Sequence, residues 1–362
     1  MKIIERYIGV NLVTLTLVAL FALVALFSFF AIIDQLEETG RGSYGVPQAL
    51  FYVLLTTPRL AYELFPIAAV IGSMTSLGML AQTSELAIIR TAGVSKLMLA
   101  RGLLRPGIIL VVLGIIIGEF IAPPCESFAK QQRSLAKNEQ IVLKSQYGIW
   151  TRDGNSYINI RKMSQGGKAE QIYIYEFDGE NRLRDEITAA SGEYRNGEWL
   201  LTKVEQISIS PTGVTKRQLA QASWKSLFKP EMAEFELIKP EYMSLWELFG
   251  YIKFLKQNAQ ETQPYEQAFW SKLIRPVTIF AMILLAIPMV NCNSRFTAVG
   301  QRVFIGALTG ILFHIGDQTA GHLGMVYNIN PAMTVTFPTL ALLGVIVYLL
   351  YEPGYGIWEM GN

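Results

Sequence analysis

The feature that most constrains this chain is an interruption. A water-compatible, strand-patterned block of roughly 140 residues separates two groups of long apolar runs, so one polypeptide must satisfy hydrocarbon at its ends and water in its middle. The composition agrees with two environments. At 362 residues, 51% hydrophobic, with a mean hydropathy of +0.31, the chain is too apolar for a soluble globule and too charged for one buried wholly in lipid. A net charge of +2 excludes the broad basic bias on which nucleic-acid binding depends.

Gly9 to Ile33 is about 25 residues without a charge, enough to cross a hydrocarbon core of roughly 30 Å. Met1-Lys2-Ile3-Ile4-Glu5-Arg6 resembles the charged start of a signal peptide, but no small-residue cleavage site precedes Asp34-Gln35-Leu36-Glu37, so this run reads as an uncleaved first span. A second span is expected from about Leu60 to Leu80, with Glu63 and Pro66 near its start. A third is expected from about Leu103 to Ile121, where Pro123-Pro124 should stop it. Phe269–Val290, Val303–Ala320 and Val335–Tyr351 supply three more. Six spans put both termini on one side. Lys2, Arg6, Arg90, Lys96, Arg101, Arg105, Arg295 and Arg302 all fall on that side, which the positive-inside rule makes the cytoplasm. The middle block is then extracytoplasmic, which in a bacterial inner membrane means periplasmic. The expected domains are residues 1–125 (spans one to three), 126–262 (the inserted block) and 263–362 (spans four to six).

Inside the block, Tyr157–Ile160, Ile172–Phe177 and Ile207–Ser210 have the period-two pattern of strands with one covered face. Asn196-Gly197, between Tyr194 and Trp199, supplies the positive φ values of a tight hairpin turn. An antiparallel sandwich or open barrel is expected. Ser127–Gln140 is polar and helix-forming and should continue the third span outward. Ser244-Leu245-Trp246-Glu247 is a capping box that opens an amphipathic helix through about Gln257. Cys125 and Cys292 lie at opposite membrane faces and cannot pair.

The sharpest local signal runs from Gln82 to Ser95. Ser84 is placed to cap a helix with Glu85 in its first turn, while Leu86, Ile89 and Arg90 recur at helical spacing before Gly93 ends it. Such a helix suits docking in a groove of a cytoplasmic partner, or anchors the loop at the interface. The chain has no Gly-x-x-x-x-Gly-Lys-Ser/Thr loop, so ATP, if it drives this protein, binds another subunit. No catalytic residue is expected, and two histidines with two distant cysteines do not make a metal site. His314 and Asp317, one turn apart, form either a proton relay with Glu119 or a hydrogen-bonded packing contact. Gly114-x-x-x-Gly118 and Gly306-x-x-x-Gly310 are close-packing seams, within the chain or with another subunit.

Several short motifs occur together in a telling order: Glu5-Arg6-Tyr7-Ile8-Gly9, Asp34-Gln35-Leu36, Gly78-Met79-Leu80-Ala81-Gln82-x-Ser84-Glu85-Leu86 through Ala92-Gly93, and Gly118-Glu119-x-x-Ala122-Pro123. They continue with Gly148-Ile149-Trp150-x-x-Asp153-Gly154-Asn155, Trp270-Ser271-Lys272 and Asp317-Gln318. End to end, the chain resembles the LptF/LptG family of lipopolysaccharide-export permeases. The resemblance implies a six-helix membrane fold with a periplasmic β-jellyroll between helices three and four, in a heterodimer with an F-type permease. It implies two copies of a separate cytoplasmic ATPase holding ATP and Mg, with no cofactor on this chain. A periplasmic jellyroll bridge protein and a single-span regulatory subunit would complete the complex. Lipopolysaccharide would enter sideways between spans one and five and leave through the jellyrolls.

By that resemblance Ser84, Glu85, Leu86, Ile89, Arg90 and Gly93 form the coupling helix that meets the ATPase. Phe27, Phe30 and Phe313 would line the acyl-chain cavity, and Ile158, Ile160, Ile172 and Ile174 the jellyroll interior. Ala31, Glu37 and Glu38 stand where relatives carry lysines, which shifts the expected phosphate contacts to a basic rim of Arg41, Arg59 and Arg133 and to the partner permease. Two rival readings remain at this stage: a self-contained proton-driven exporter using His314 and Asp317, and a membrane-anchored scaffold that transports nothing.

Overall fold

A computed structural model describes residues 2–40, 42–137, 149–164, 168–180, 182–195, 198–210, 213–224, 239–290 and 299–351. Among them the helices are α1 (Lys2–Glu37), α2 (Val46–Gln82), α3 (Glu85–Thr91), α4 (Lys96–Ile115), α5 (Ala122–Ala136), α6 (Leu245–Gln257), α7 (Gln263–Met289), α8 (Val299–Val326) and α9 (Pro331–Tyr351). Between α5 and α6 lie strands β1 (Ile149–Asp153), β2 (Ser156–Ser164), β3 (Lys168–Phe177), β4 (Leu183–Arg195), β5 (Glu198–Ser210) and β6 (Gly213–Trp224). Six helical stretches are long and apolar enough to cross a membrane: Glu5–Glu37, Val46–Gln82, Lys96–Ala136, Gln263–Met289, Val299–Val326 and Pro331–Tyr351. The chain is therefore a multi-pass membrane protein with an inserted all-β domain. It folds as two compact units, one of Met1–Glu37, Leu50–Ser127 and Glu266–Asn362, the other of Glu38–Ala49 and Phe128–Tyr265.

The helical unit is organised on α2. Phe65, Ala68, Ala69 and Val70 are wholly buried, and Leu12 of α1, Leu103 and Leu110 of α4, and Met282, Ile283 and Ala286 of α7 belong to the same apolar cluster. Small residues allow this approach. A Cβ on Gly310 would lie 3.0 Å from Ile67, one on Gly306 3.1 Å from Ile71, and one on Gly114 3.1 Å from Ile279. Both Gly-x-x-x-Gly seams thus pack within the chain. By contrast α1 presents Phe21, Phe27, Phe29 and Phe30 outward, as a lipid-facing surface does.

Two expected boundaries are wrong. The second span begins at Val46 rather than near Leu60, and it keeps Pro58 and Pro66 inside a continuous helix. The third span continues outward as a polar helix, as expected, but without a break at Pro123-Pro124, because the chain passes through a π-helical turn, Ile116–Ile121, directly into α5. In that turn the Ala122 amide bonds the carbonyl of Ile117, five residues back, so the next bond in the series would run from residue 123 to Gly118. Residue 123 is proline and has no N–H to give. The Gly118 carbonyl instead receives Lys272 Nζ at 3.4 Å. A wider turn places the proline rings where the helix tolerates them, and a side chain from α7 takes the amide's place.

In the second unit the six strands form one antiparallel sheet in sequential order β1 to β6. Ile158 faces Ile174 across β2 and β3, Ile160 faces Ile172, and Ile174 continues to Ile187 on β4. All four isoleucines assigned to the interior, Ile158, Ile160, Ile172 and Ile174, are buried. Gly192 is small for a reason: a Cβ there would come within 2.6 Å of Ile172 and 3.0 Å of Leu201. Asp185 is nearly buried too. Burial works against its charge, but bonds from Ser208 at 2.5 Å, Arg184 at 2.8 Å and Gln206 at 3.0 Å prevail and hold its carboxyl below the ordinary carboxylate range. β4 and β5 pair from Arg195 and Glu198 onward, while Asn196-Gly197 lies outside the described residues. The Ser244 capping box is present in full, with Ser244 Oγ accepting from the Glu247 amide at 3.3 Å and the Glu247 carboxylate accepting from the Ser244 amide at 2.7 Å.

Candidate functional site

The Gln82–Ser95 loop folds as expected into a short helix, α3, closed by Gly93 in the left-handed region (φ 87°). The Val94 amide reaches back to the Ile89 carbonyl at 3.4 Å, the wide closing bond that a glycine in this conformation permits. Its start departs from expectation. Ser84 has φ 62°, not the extended backbone of a capping serine, and it joins α2 to α3 through its main chain: its amide donates to Ala81 and its carbonyl accepts from Ile88 at 3.1 Å. Ser95, by comparison, caps α4 with its Oγ on the Met98 amide.

The residues of α3 divide between a covered and an exposed face. Leu86 is buried and Ile89 packs against the core of the helical unit, so neither belongs to an exposed apolar face. Ile88 does, at 65% exposure, with Leu97 and Met98 exposed just beyond the loop. Glu85 is half-buried, and the Arg90 side chain lies outside the described residues. Helical spacing marked Leu86 and Ile89 as one stripe but carried no signal for which stripe would be covered.

The two basic-rim residues among the described ones, Arg59 and Arg133, are engaged by carboxylates. Arg59 pairs with Glu63 one turn along α2 at 2.8 Å and with Glu126 of α5 at 3.7 Å. Arg133 and Lys137 both bond the carboxylate of Glu38. Hydrogen bonds from Lys137, then from Arg133, lower the Glu38 carboxyl from an ordinary 4.5 to about 2. The same stretch is tied down further: the Ser43 amide donates to the Ala136 carbonyl at 2.7 Å, and Lys137 Nζ stands 5.3 Å from the centre of the Tyr44 ring. The sequence marks Glu38 as a replaced lysine but carries no sign that the same carboxylate binds Arg133. Arg41 lies outside the described residues. Phe27 and Phe30 are exposed on α1, while Phe313 is half-buried in a narrow cleft lined by α2, α7 and α8.

That cleft also holds Glu63, Arg275, His314 and Asp317. His314 meets Gln318 at 3.2 Å. Glu119, expected as a relay partner, is instead bonded to Lys272 Nζ at 3.0 Å in a pair whose side chains are 7% and 14% exposed. Lys272 and Arg275, one turn apart on α7, flank the buried Tyr62 ring at 5.8 Å and 5.3 Å. A cation held between the π turn and α7 is the intramembrane feature that the sequence did not reveal.

Six candidate spans, a β-domain inserted after the third, and a short helix in the loop after the second define a class: multi-pass membrane proteins that carry an inserted β-domain. The profile of the family described as "Lipopolysaccharide export system permease LptF/LptG" matches residues 6–352, and the chain belongs to that family. It is 31% identical over 351 residues to the lipopolysaccharide export system permease protein LptG of Escherichia coli strain K12, covering 96% of this chain and 98% of the relative. It is 30% identical over 349 residues to the protein of the same name from Haemophilus influenzae strain Rd, with the same coverage.

Proposed function

We propose that this chain is one permease subunit of an ATP-driven lipopolysaccharide extractor in the bacterial inner membrane, with both termini cytoplasmic and the β-domain periplasmic. Its partners in this reading are an F-type permease, two copies of a cytoplasmic ATPase that carry ATP and Mg, a periplasmic jellyroll bridge protein and a single-span regulatory subunit. Lipopolysaccharide is taken sideways between α1 and α8, and closure of the paired permeases drives it towards the β-domains.

The observation that carries the ATP-driven part is α3. This short, glycine-terminated helix presents Glu85 at its start and an exposed Ile88. An isolated apolar side chain with a nearby carboxylate, on a loop otherwise fixed to the core, is suited to seat in a groove of a soluble partner. The phenylalanines outside α1 support the lateral route, since acyl chains need an apolar wall.

The test is co-purification. The wild-type chain retains the ATPase through affinity purification, and the variant carrying Glu85→Lys and Ile88→Glu loses it while keeping its second permease. A photocrosslinker at Phe30 traps lipopolysaccharide in the same preparations. Retention of the ATPase and of stimulated hydrolysis by the double variant overturns the assignment of α3.

A further inference from the structure

The first matched motif, Glu5-Arg6-Tyr7-Ile8-Gly9, has no role in the extraction reading, and the structure places three of its residues, Glu5, Arg6 and Gly9, on a groove. Glu5, Arg6, Gly9, Val10, Val13 and Thr14 of α1 face Gly102, Arg105, Pro106 and Ile109 of α4 around a volume of about 410 Å³. We propose that this groove is a binding site for an anionic phospholipid of the cytoplasmic leaflet, with the headgroup phosphate between Arg6 and Arg105 and the start of one acyl chain along Val10, Val13 and Ile109.

Charge and shape argue for this occupant. Arg6 is exposed and has no ion-pair partner among the described residues. Arg105 is 76% exposed and holds Glu5 only at 3.4 Å, so an incoming phosphate has two guanidinium groups to reach and one carboxylate against it. The glycines make the slot. Gly9 closes to contact distance with Pro106, at 3.4 Å from a Cβ, whereas a Cβ on Gly102 meets only the Glu5 side chain at 3.7 Å. Val10 and Ile109 are exposed deeper along the groove. From Arg6 to Thr14 the helix rises about 12 Å, the depth over which headgroup gives way to hydrocarbon. A basic, apolar-walled groove between two spans at the positive side of the membrane matches the chemistry of an anionic lipid rather than a zwitterionic one.

The inference depends on the proposed orientation but not on what the protein exports. The full-length chain, stripped of lipid in detergent, is titrated with palmitoyl-oleoyl phosphatidylglycerol or with the matching phosphatidylcholine, and bound lipid is counted by native mass spectrometry. Phosphatidylglycerol binds on the order of tenfold tighter, and the preference disappears in R6A/R105A but persists in R101A, whose arginine lies outside the groove. Val13→Trp, which fills the apolar end and leaves both cations, abolishes tight binding of either lipid. Equal affinities in the wild type, or a preference that survives R6A/R105A, overturns the proposal. So does binding of inorganic phosphate as tight as the lipid, or efficient crosslinking of Val10→Cys to a second permease. ATPase retention through α3 is a separate readout, so failure here leaves the transport assignment standing.

Discussion

Replacing Lys272 by methionine tests what the π turn is for. Lys272 Nζ bonds Glu119 at 3.0 Å and the Gly118 carbonyl at 3.4 Å, with both charged side chains largely buried within the helical unit. Lys272→Met leaves the Glu119 carboxylate without this cation, and breaking a buried pair from one side costs about 3–5 kcal/mol. The Gly118 carbonyl also loses its donor, which adds about 1 kcal/mol. Glu119→Gln removes the other charge and carries a similar cost, but the double replacement removes both charges and leaves a net change of roughly 1 kcal/mol, since buried pairs exchange nearly evenly for apolar ones. The cycle therefore yields a coupling of about 3 kcal/mol or more, equivalent to more than a hundredfold in the folded-to-unfolded ratio. Equilibrium unfolding of the four proteins in mixed dodecyl sulfate and maltoside micelles, followed by tryptophan fluorescence, measures it. If each single variant costs less than about 0.5 kcal/mol and the effects add, the pair does not hold the π turn to α7 and the reasoning is refuted.

Gly118→Ala should be poorly tolerated, because its Cβ would fall 2.3 Å from the Tyr62 ring; a loss of about 1–3 kcal/mol in the same unfolding assay, partly restored by Tyr62→Ala, is expected. Glu38 ties Arg133 and Lys137 with a carboxyl lowered to about 2 from 4.5, so its contribution is complete above about pH 4.5 and fades as the pH falls towards 2. Protection of the 42–49 amides from hydrogen exchange should weaken across that acid window in the wild type, and Glu38→Gln should show the weakened state at neutral pH. In the β-domain, Ile174→Ala removes a fully buried side chain between Ile158 and Ile187 and should cost about 2–5 kcal/mol, read as earlier loss of the sheet's circular dichroism.

What could be read from the sequence follows the range of the interactions involved. The apolar runs marked all six spans because hydrocarbon imposes length and composition on each span separately. The Ser244 capping box and the glycine end of α3 were legible because their atoms lie within one turn. The errors come from longer distances or from choices that a pattern leaves open. Pro123-Pro124 reads as a stop in isolation and becomes tolerable once the helix widens to a π turn and Lys272, 153 positions beyond Glu119, bonds that carboxylate and the Gly118 carbonyl. Arg133 looked like an open phosphate site because Glu38 stands 95 positions from it. Periodicity groups Leu86 with Ile89 but does not report that this stripe is the covered one.

The π turn also sets a phase. Its wider loop takes one more residue than an α-helical turn spanning the same rise, and one residue in an α-helix is a rotation of about 100°. Residues 122–127 are therefore turned by that angle relative to the face they would show on an uninterrupted helix. Glu126, which meets Arg59 at 3.7 Å, holds its bearing because of that added residue. Deleting a single residue between Ile116 and Ile121 would leave the span nearly as long and its composition unchanged, yet swing this carboxylate a quarter-turn away from its arginine. In this stretch of helix, the number of residues determines direction more than length.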